Sequence, residues 1–179
     1  MCKGVIKFEI HQSEIIKGVW IIKPSVFEDE RGNIWTSFIS VEIEPEGLRF
    51  THDKFSESKN NVLRGIHWDN KTWKLVTCVS GKIQQVVVDM RTDSPTYLQW
   101  QDFIIGDENK SLILLPPNVG NAYYVMSDKA IYHYKLAYKG DYVDADEQFS
   151  IGWNDESIGV KWLADTPILS NRDTNHEKT

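Results

Sequence analysis

The sequence predicts an all-β fold, a sandwich or barrel of antiparallel strands. Three observations point there. Short apolar runs rich in Val, Ile, Tyr and Trp recur every ~8–12 residues. Gly, Pro, Asn and Asp punctuate the gaps between them. Helical periodicity is weak everywhere.

The elements follow in order. Val19-Trp20-Ile21-Ile22 is a short apolar run that stops at Pro24. Asn33 to Ile39 alternates between apolar and polar residues, as a half-buried strand does. Leu75–Val79 and Ile83–Val88 flank Ser80-Gly81-Lys82, which reads as a hairpin with a Gly-containing turn. Leu98 to Ile105 is a further strand, closed by the turn Gly106-Asp107-Glu108-Asn109. Ser111 to Leu115 ends at Pro116-Pro117, which cannot continue a central strand. Ala122–Met126 and Ala130–Ala137 are expected to pair around Ser127-Asp128-Lys129. Short helical pieces are expected near Ser40–Glu44 and near Ser157, and the polar tail from Asn175 is expected to fray.

At 179 residues the chain is the length of one domain, with 41% hydrophobic and 26% charged residues. With 12% aromatics it can fill a core without staples. Two cysteines, Cys2 and Cys78, make neither a disulfide framework nor a zinc cluster. The start has no long apolar segment, and no run approaches the ~20 residues that span a bilayer. A cytoplasmic protein with no membrane partner is expected. The net charge of −6 disfavours nucleic acid as a partner. An anionic small ligand would need a local basic cluster.

Four segments could carry chemistry. Leu63-Arg64-Gly65-Ile66-His67-Trp68 puts a cation and an imidazole close together on an extended or bulged strand. His67 reads either as a base or as a buried, hydrogen-bonded core residue. A metal site is not expected: the second His of the usual jelly-roll pair is absent after His67, and the other four histidines are scattered. In Tyr132-His133-Tyr134-Lys135-Leu136, Tyr132 and Tyr134 share one face with Leu136. Buried phenols need hydrogen-bond partners and can donate a proton, but Tyr is also a good strand residue. Asn121 follows a glycine and reads equally as a turn residue or as a side chain facing a cavity. Phe27-Glu28-Asp29-Glu30-Arg31-Gly32 is a charged turn whose default reading is solvation.

Together these segments resemble one family, the dTDP-4-dehydrorhamnose 3,5-epimerases. The stretches that carry the resemblance are FEDERGNIW, SESKNNVLRGIHWD, KLVTCVSGKIQQVVVDMRTDSPTY, LLPPNVGNAYYV, YHYKLAY and GWNDESIGVKWLADTPILSNRD. They occur in family order from about residue 19 to residue 173. The resemblance implies a single cupin-like antiparallel jelly-roll domain over 1–179, with N-terminal strands to about 60, a core barrel over about 61–150 and a closing segment over 151–179. It implies a homodimer that exchanges the N-terminal strands.

It also assigns residues. His67 would be the base and Asp173 its partner. Tyr134 would be the acid on the opposite face of the sugar. Lys74 and Arg64 would lie near the ketone oxygen or the phosphates. Arg31 would reach a phosphate, across the dimer. Asn121, Glu28, Phe27, Trp35 and Tyr138 complete the expected substrate contacts, and Trp68 is a further stacking candidate. Three departures stand out. Asn121 replaces a family His; His52 and Lys54 replace Gln and Asn; Trp68 and Asp69 replace Tyr and Gln. On that pattern the chain resembles the branch that handles GDP-linked 4-keto-heptoses for bacterial capsules. The runner-up substrate is a dTDP-4-keto-6-deoxyhexose. The runner-up activities are a ketoisomerase and a non-catalytic sugar-nucleotide binding module.

The chemistry explains the residue types. A 4-keto group acidifies the hydrogens at C3 and C5. Removing one gives an enolate, and returning a proton from the other face inverts the carbon. That needs a base near neutral pKa, an acid across the ring and a cation at the enolate oxygen. The ketone is itself the electron sink, so no cofactor is expected.

Overall fold

The computed structural model describes residues 6–174; Cys2 and the tail from Asn175 lie outside the described residues. Thirteen strands and two four-residue helices are present there. Six strands form one sheet: β1 (Phe8–Gln12), β2 (Trp20–Pro24), β5 (His52–Lys59), β7 (Trp73–Ser80), β10 (Leu112–Leu115) and β12 (Lys129–Ala137), in the order β1-β2-β10-β7-β12-β5. Five form the second: β6 (Leu63–Trp68), β8 (Lys82–Asp89), β9 (Trp100–Gly106), β11 (Val119–Val125) and β13 (Phe149–Ser150), in the order β13-β6-β11-β8-β9. The strands β3 (Val26–Asp29) and β4 (Gly32–Trp35) pair only with each other. Every strand pairing is antiparallel. From β5 onward the chain repeatedly crosses between the two sheets, which is the jelly-roll path.

That path overturns both expected hairpins. Strands β7 and β8 are consecutive yet lie in opposite sheets, and so do β11 and β12. Their hydrogen-bond partners come from distant segments: β10 and β12 flank β7, while β11 and β9 flank β8. The two connections pack together at one edge of the sandwich. Gly81 turns at φ +91°, and a Cβ there would lie 2.3 Å from the Lys129 carbonyl oxygen. Ser127 fastens the pair, accepting from the Lys82 amide (2.8 Å) and donating to the Lys129 carbonyl (2.7 Å).

Side chains between the sheets form the main core, with Val76, Ile83, Val87, Ile113, Tyr123 and Tyr132 all fully buried. Both outer faces are covered as well. Ile43 of helix α1 (Ser40–Ile43), with Phe38 and Phe50, lies against Ile22, Leu75, Leu112 and Leu114. Ile151, Ile158, Val160 and Trp162 lie against Ile66, Val86 and Val88. Double coverage is why β10 reads as an unbroken apolar run and why β8 is buried at every position from Ile83 to Asp89, Gln84 and Gln85 included, where one-sided burial would give alternation. Fully burying one such aliphatic side chain contributes about 1.5–3 kcal/mol.

Smaller expectations shift. The strand expected over Asn33–Ile39 ends at Trp35. The strand expected from Leu98 begins at Trp100, because Leu98 sits in a turn at φ +65°. Near Ser157 the chain makes tight turns, with the Ile158 and Gly159 amides both donating to the Asp155 carbonyl, and no helix. The helical pieces outside α1 are a 3-10 turn at Ala145–Glu147 and helix α2 (Asn171–Thr174).

Candidate active site

A cavity of about 260 Å³ opens between the two sheets. The five-stranded sheet supplies Arg64, His67 and Asn121, and the six-stranded sheet supplies Lys54, Lys74 and Tyr134. The C-terminal segment closes it with Ser170, Arg172 and Asp173.

The placement of Arg64 and His67 depends on a bulge. Residues three apart on a regular strand point to opposite faces. Here Asn121 pairs with His67 and Tyr123 with Arg64, so three steps on β6 oppose two on β11. The extra residue returns both side chains to the inner face. Gly65 makes the bulge at φ +124°, and a Cβ there would come within 2.4 Å of the Ala122 Cβ.

His67 Nε2 lies 2.6 Å from Asp173 Oδ1. Ser170 Oγ donates to Asp173 Oδ2 (2.9 Å) and accepts from the Asp173 amide (3.1 Å), which fixes the carboxylate at the start of α2. Burial raises the affinity of the Asp173 carboxylate for a proton. The bonds from His67 and Ser170 outweigh it, and the group titrates below its ordinary value. An ionised carboxylate only accepts, so Nε2 carries the hydrogen and the Nδ1 lone pair is left for the cavity. Burial pushes the imidazole below its ordinary pKa; Asp173 opposes this, while Arg172 and Lys74 add to it. The ring is therefore a neutral base at pH 7.

From the facing sheet comes Tyr134, edge-on to Tyr132 with ring centroids 4.7 Å apart. Burial drives its phenol well above the ordinary range, so it is protonated at any working pH. Lys74 is 6% exposed, and burial lowers its proton affinity against the pull of Asp69. Arg64 reaches the cavity while its Nε donates to Ser58 Oγ at 2.9 Å.

Asn121 is a cavity residue, not a turn residue. Its Oδ1 accepts from Gln85 Nε2 (2.7 Å) and from the Tyr132 hydroxyl (3.2 Å). The Tyr132 hydroxyl also bonds Gln85 Oε1 at 2.5 Å, so this buried triangle occupies the family's His position. Tyr138 stands beside the mouth, bonded to His52 Nδ1 at 3.2 Å. Tyr142, which does line the cavity, packs against both rings.

Several expected contacts are not brought to this cavity. Phe27, Glu28, Arg31 and Trp35 sit on the β3–β4 hairpin, outside both main sheets. Arg31 is paired with Asp29 and its side chain is 84% exposed. Trp35 lies under the Lys110 ammonium, 4.4 Å from the ring centroid. Trp68 points to the outer face, tilted against Phe149. Sequence reasoning missed Tyr142, Thr72, Ser170 and Arg172 as lining residues. Ser170 had a signal, since a Ser three residues before an acid is a cap pattern; the others had none.

A jelly roll that sets an imidazole on one sheet, paired with a carboxylate from the closing helix, against a phenol on the facing sheet has the layout of a sugar-modifying acid–base isomerase. The family model for dTDP-4-dehydrorhamnose 3,5-epimerase matches residues 13–179. The dTDP-4-dehydrorhamnose 3,5-epimerase of Salmonella typhimurium is 36% identical over 88% of each chain. The dTDP-4-dehydrorhamnose 3-epimerase of Streptomyces niveus is 33% identical over 88% of this chain and 78% of its own. Among solved structures, dTDP-6-deoxy-D-glucose-3,5-epimerase from Legionella pneumophila, in complex with dTDP-4-keto-L-rhamnose, superposes with a TM-score of 0.84. It is 33% identical, covering 94% of this chain and 90% of that one. The chain belongs to the dTDP-4-dehydrorhamnose 3,5-epimerase family, and is a nucleotide-sugar epimerase. No helix among the described residues is long and apolar enough to cross a membrane.

Proposed function

We propose that this chain inverts C3, C5 or both in a dTDP-linked 4-keto-6-deoxy sugar. The observation that carries the reading is the delivery of His67 and Tyr134 to one cavity from opposite sheets. A sugar ring held between them meets a base on one face and an acid on the other. His67 Nδ1 takes the proton from the carbon beside the ketone, and the C–H electron pair moves into an enolate. Asp173 stabilises the imidazolium that forms. The Lys74 ammonium, with Arg64, balances the charge on the enolate oxygen as it develops. Tyr134 returns a proton to the opposite face; its phenolate is then reprotonated from solvent and His67 releases the proton it took to solvent, which resets the pair.

The thymidine preference rests on the relatives, whose names carry dTDP. The GDP-linked heptose expected from Asn121, Trp68 and Asp69 finds no support among them, nor does a role in capsule synthesis. A homodimer is part of the proposal. Phe27 and Ile34 are exposed on the β3–β4 hairpin, and Arg31 with them, as suits a hairpin that a second copy covers.

The test offers the purified protein dTDP-4-keto-6-deoxyglucose and, separately, a GDP-linked 4-keto-heptose, with products identified by NMR. Inversion of the thymidine-linked sugar is expected. Turnover of the heptose alone would overturn the substrate, and a ketone moved to C3 would overturn the reaction.

A further inference from the structure

Asp69 follows β6 directly and takes the place of a family Gln. Its Oδ1 accepts from the amides of Lys71 (3.0 Å) and Thr72 (2.7 Å), and its own carbonyl accepts from the Asn118 amide (2.8 Å). The carboxylate is thus fixed in direction. Its second oxygen, Oδ2, is buried and makes no hydrogen bond. The nearest charge is the Lys74 ammonium, 3.6 Å away, with both side chains almost wholly buried. At that distance the pair is ionic contact and not a directed hydrogen bond. The N–H groups of Lys74 remain available to the cavity that Lys74 lines. Thr72 lines the same cavity, and its Oγ1 is likewise buried without a partner.

We propose that Asp69 is a positioning residue: its carboxylate anchors the Lys74 ammonium beneath the cavity, with the N–H groups free for the ligand's developing oxyanion. The inference rests on the epimerase reading for the identity of that oxyanion. A buried ammonium without a counterion sheds its proton. The other ionisable groups around Lys74 cannot replace Asp69. Arg172 from α2 repels it, Arg64 from β6 and Lys54 from β5 are cations lining the same cavity, His67 from β6 is neutral, Tyr134 from β12 is protonated, and Asp173 is already bonded to His67 and Ser170. A neutral Gln here could orient a lysine but could not hold its charge.

The test is Asp69→Asn in the full chain. Asn keeps an oxygen for the two turn amides, so the turn survives and only the charge is removed. Isotope-labelled lysine, with Lys74 assigned by its loss in Lys74→Arg, gives the titration midpoint by NMR without substrate. The midpoint is expected to fall by about one pH unit or more. The alkaline limb of kcat/KM should move by the same amount, with KM at neutral pH changed less than about twofold. A folded Asp69→Asn with midpoint and alkaline limb unmoved would overturn the proposal. If Asp69→Asn does not fold, Asp69→Glu carries the test: the charge stays, so the midpoint must hold while kcat drops, and a fallen midpoint would refute it. A fallen midpoint in a protein that turns over no 4-keto sugar would leave the Asp69–Lys74 pair standing and remove the epimerase reading.

Discussion

Replacing Gly65 with Ala attacks the device that aims the active site. Two costs add. A residue with a Cβ held at φ +124° carries about 1–3 kcal/mol of backbone strain. The new Cβ would also meet Ala122 Cβ at 2.4 Å, Ala122 Cα at 2.7 Å and the Asn121 carbonyl oxygen at 2.7 Å. Two of those three atoms are backbone and cannot rotate away, so overpacking adds about 1–3 kcal/mol. The sum, about 2–6 kcal/mol, is a large share of the ~5–15 kcal/mol that holds a typical domain. At ~2–4 °C per kcal/mol the melting point should fall by about 4–24 °C. Gly32→Ala is the control. It has a similar φ of +118° at the exposed hairpin turn, with nothing within 4 Å of its Cβ. It carries strain without the clash, and the smaller entropy of an unfolded Ala chain cancels between the two. Urea titrations of both variants give the difference, expected at about 1–3 kcal/mol. The same shift should misplace His67, and a displacement near 1 Å costs roughly 10²-fold in rate. If Gly65→Ala proves no worse than Gly32→Ala, the argument that backbone crowding fixes this bulge is wrong.

Further outcomes follow from the same geometry. Asp173→Asn removes the acceptor that fixes the His67 tautomer, so kcat should drop by about 10²–10⁴-fold with the fold intact, measured by product NMR. Because burial depresses the His67 pKa in the free protein, the acid limb of kcat/KM should lie below the ordinary histidine value of 6.5; a limb above it would contradict a neutral, buried base. Tyr132→Phe strips a partner from buried Gln85 Oε1 and from Asn121 Oδ1, and should cost about 1–3 kcal/mol in denaturant. Asp89 is fully buried, takes a bidentate pair from Arg91 and bonds from Ser94 and Thr96, and titrates at about 2 instead of 3.8. Its folded pKa is depressed, so it stabilises fully above about pH 4 and the contribution is lost as pH falls toward 2. At about 1.4 kcal/mol per pH unit this is about 2–3 kcal/mol, and Asp89→Asn should flatten that part of the acid-unfolding curve.

The strands were legible where one feature spoke clearly. Pro24 and Pro116-Pro117 mark true ends of β2 and β10. Alternation in β12 places Tyr132 and Tyr134 on one face, as the structure does. Pairing was not legible. Ser80-Gly81-Lys82 looks like a hairpin turn, but local sequence does not say that both faces of β7 and β8 are covered and that their partners lie elsewhere. The polar strand β5, His52–Lys59, has no apolar pattern because it is an edge strand with exposed Asp53, Phe55 and Glu57. In the site, His67, Asp173, Tyr134, Lys74, Arg64 and Asn121 were named from motifs and meet at one cavity. Phe27, Glu28, Arg31 and Trp35 are named as well but do not reach that cavity, because a hairpin's motif carries no information about which surface it meets. Tyr142 and Arg172 enter only through the folding back of long connections.

Exchange in heavy water tests the central claim most directly. The wild-type chain, incubated with dTDP-4-keto-6-deoxyglucose, should place deuterium at C3, C5 or both. His67→Asn, folded by circular dichroism, should place none, and Tyr134→Phe should exchange without inverting at least one centre. Deuterium uptake by folded His67→Asn at the wild-type rate would contradict the assignment of the base and the mechanism built on it.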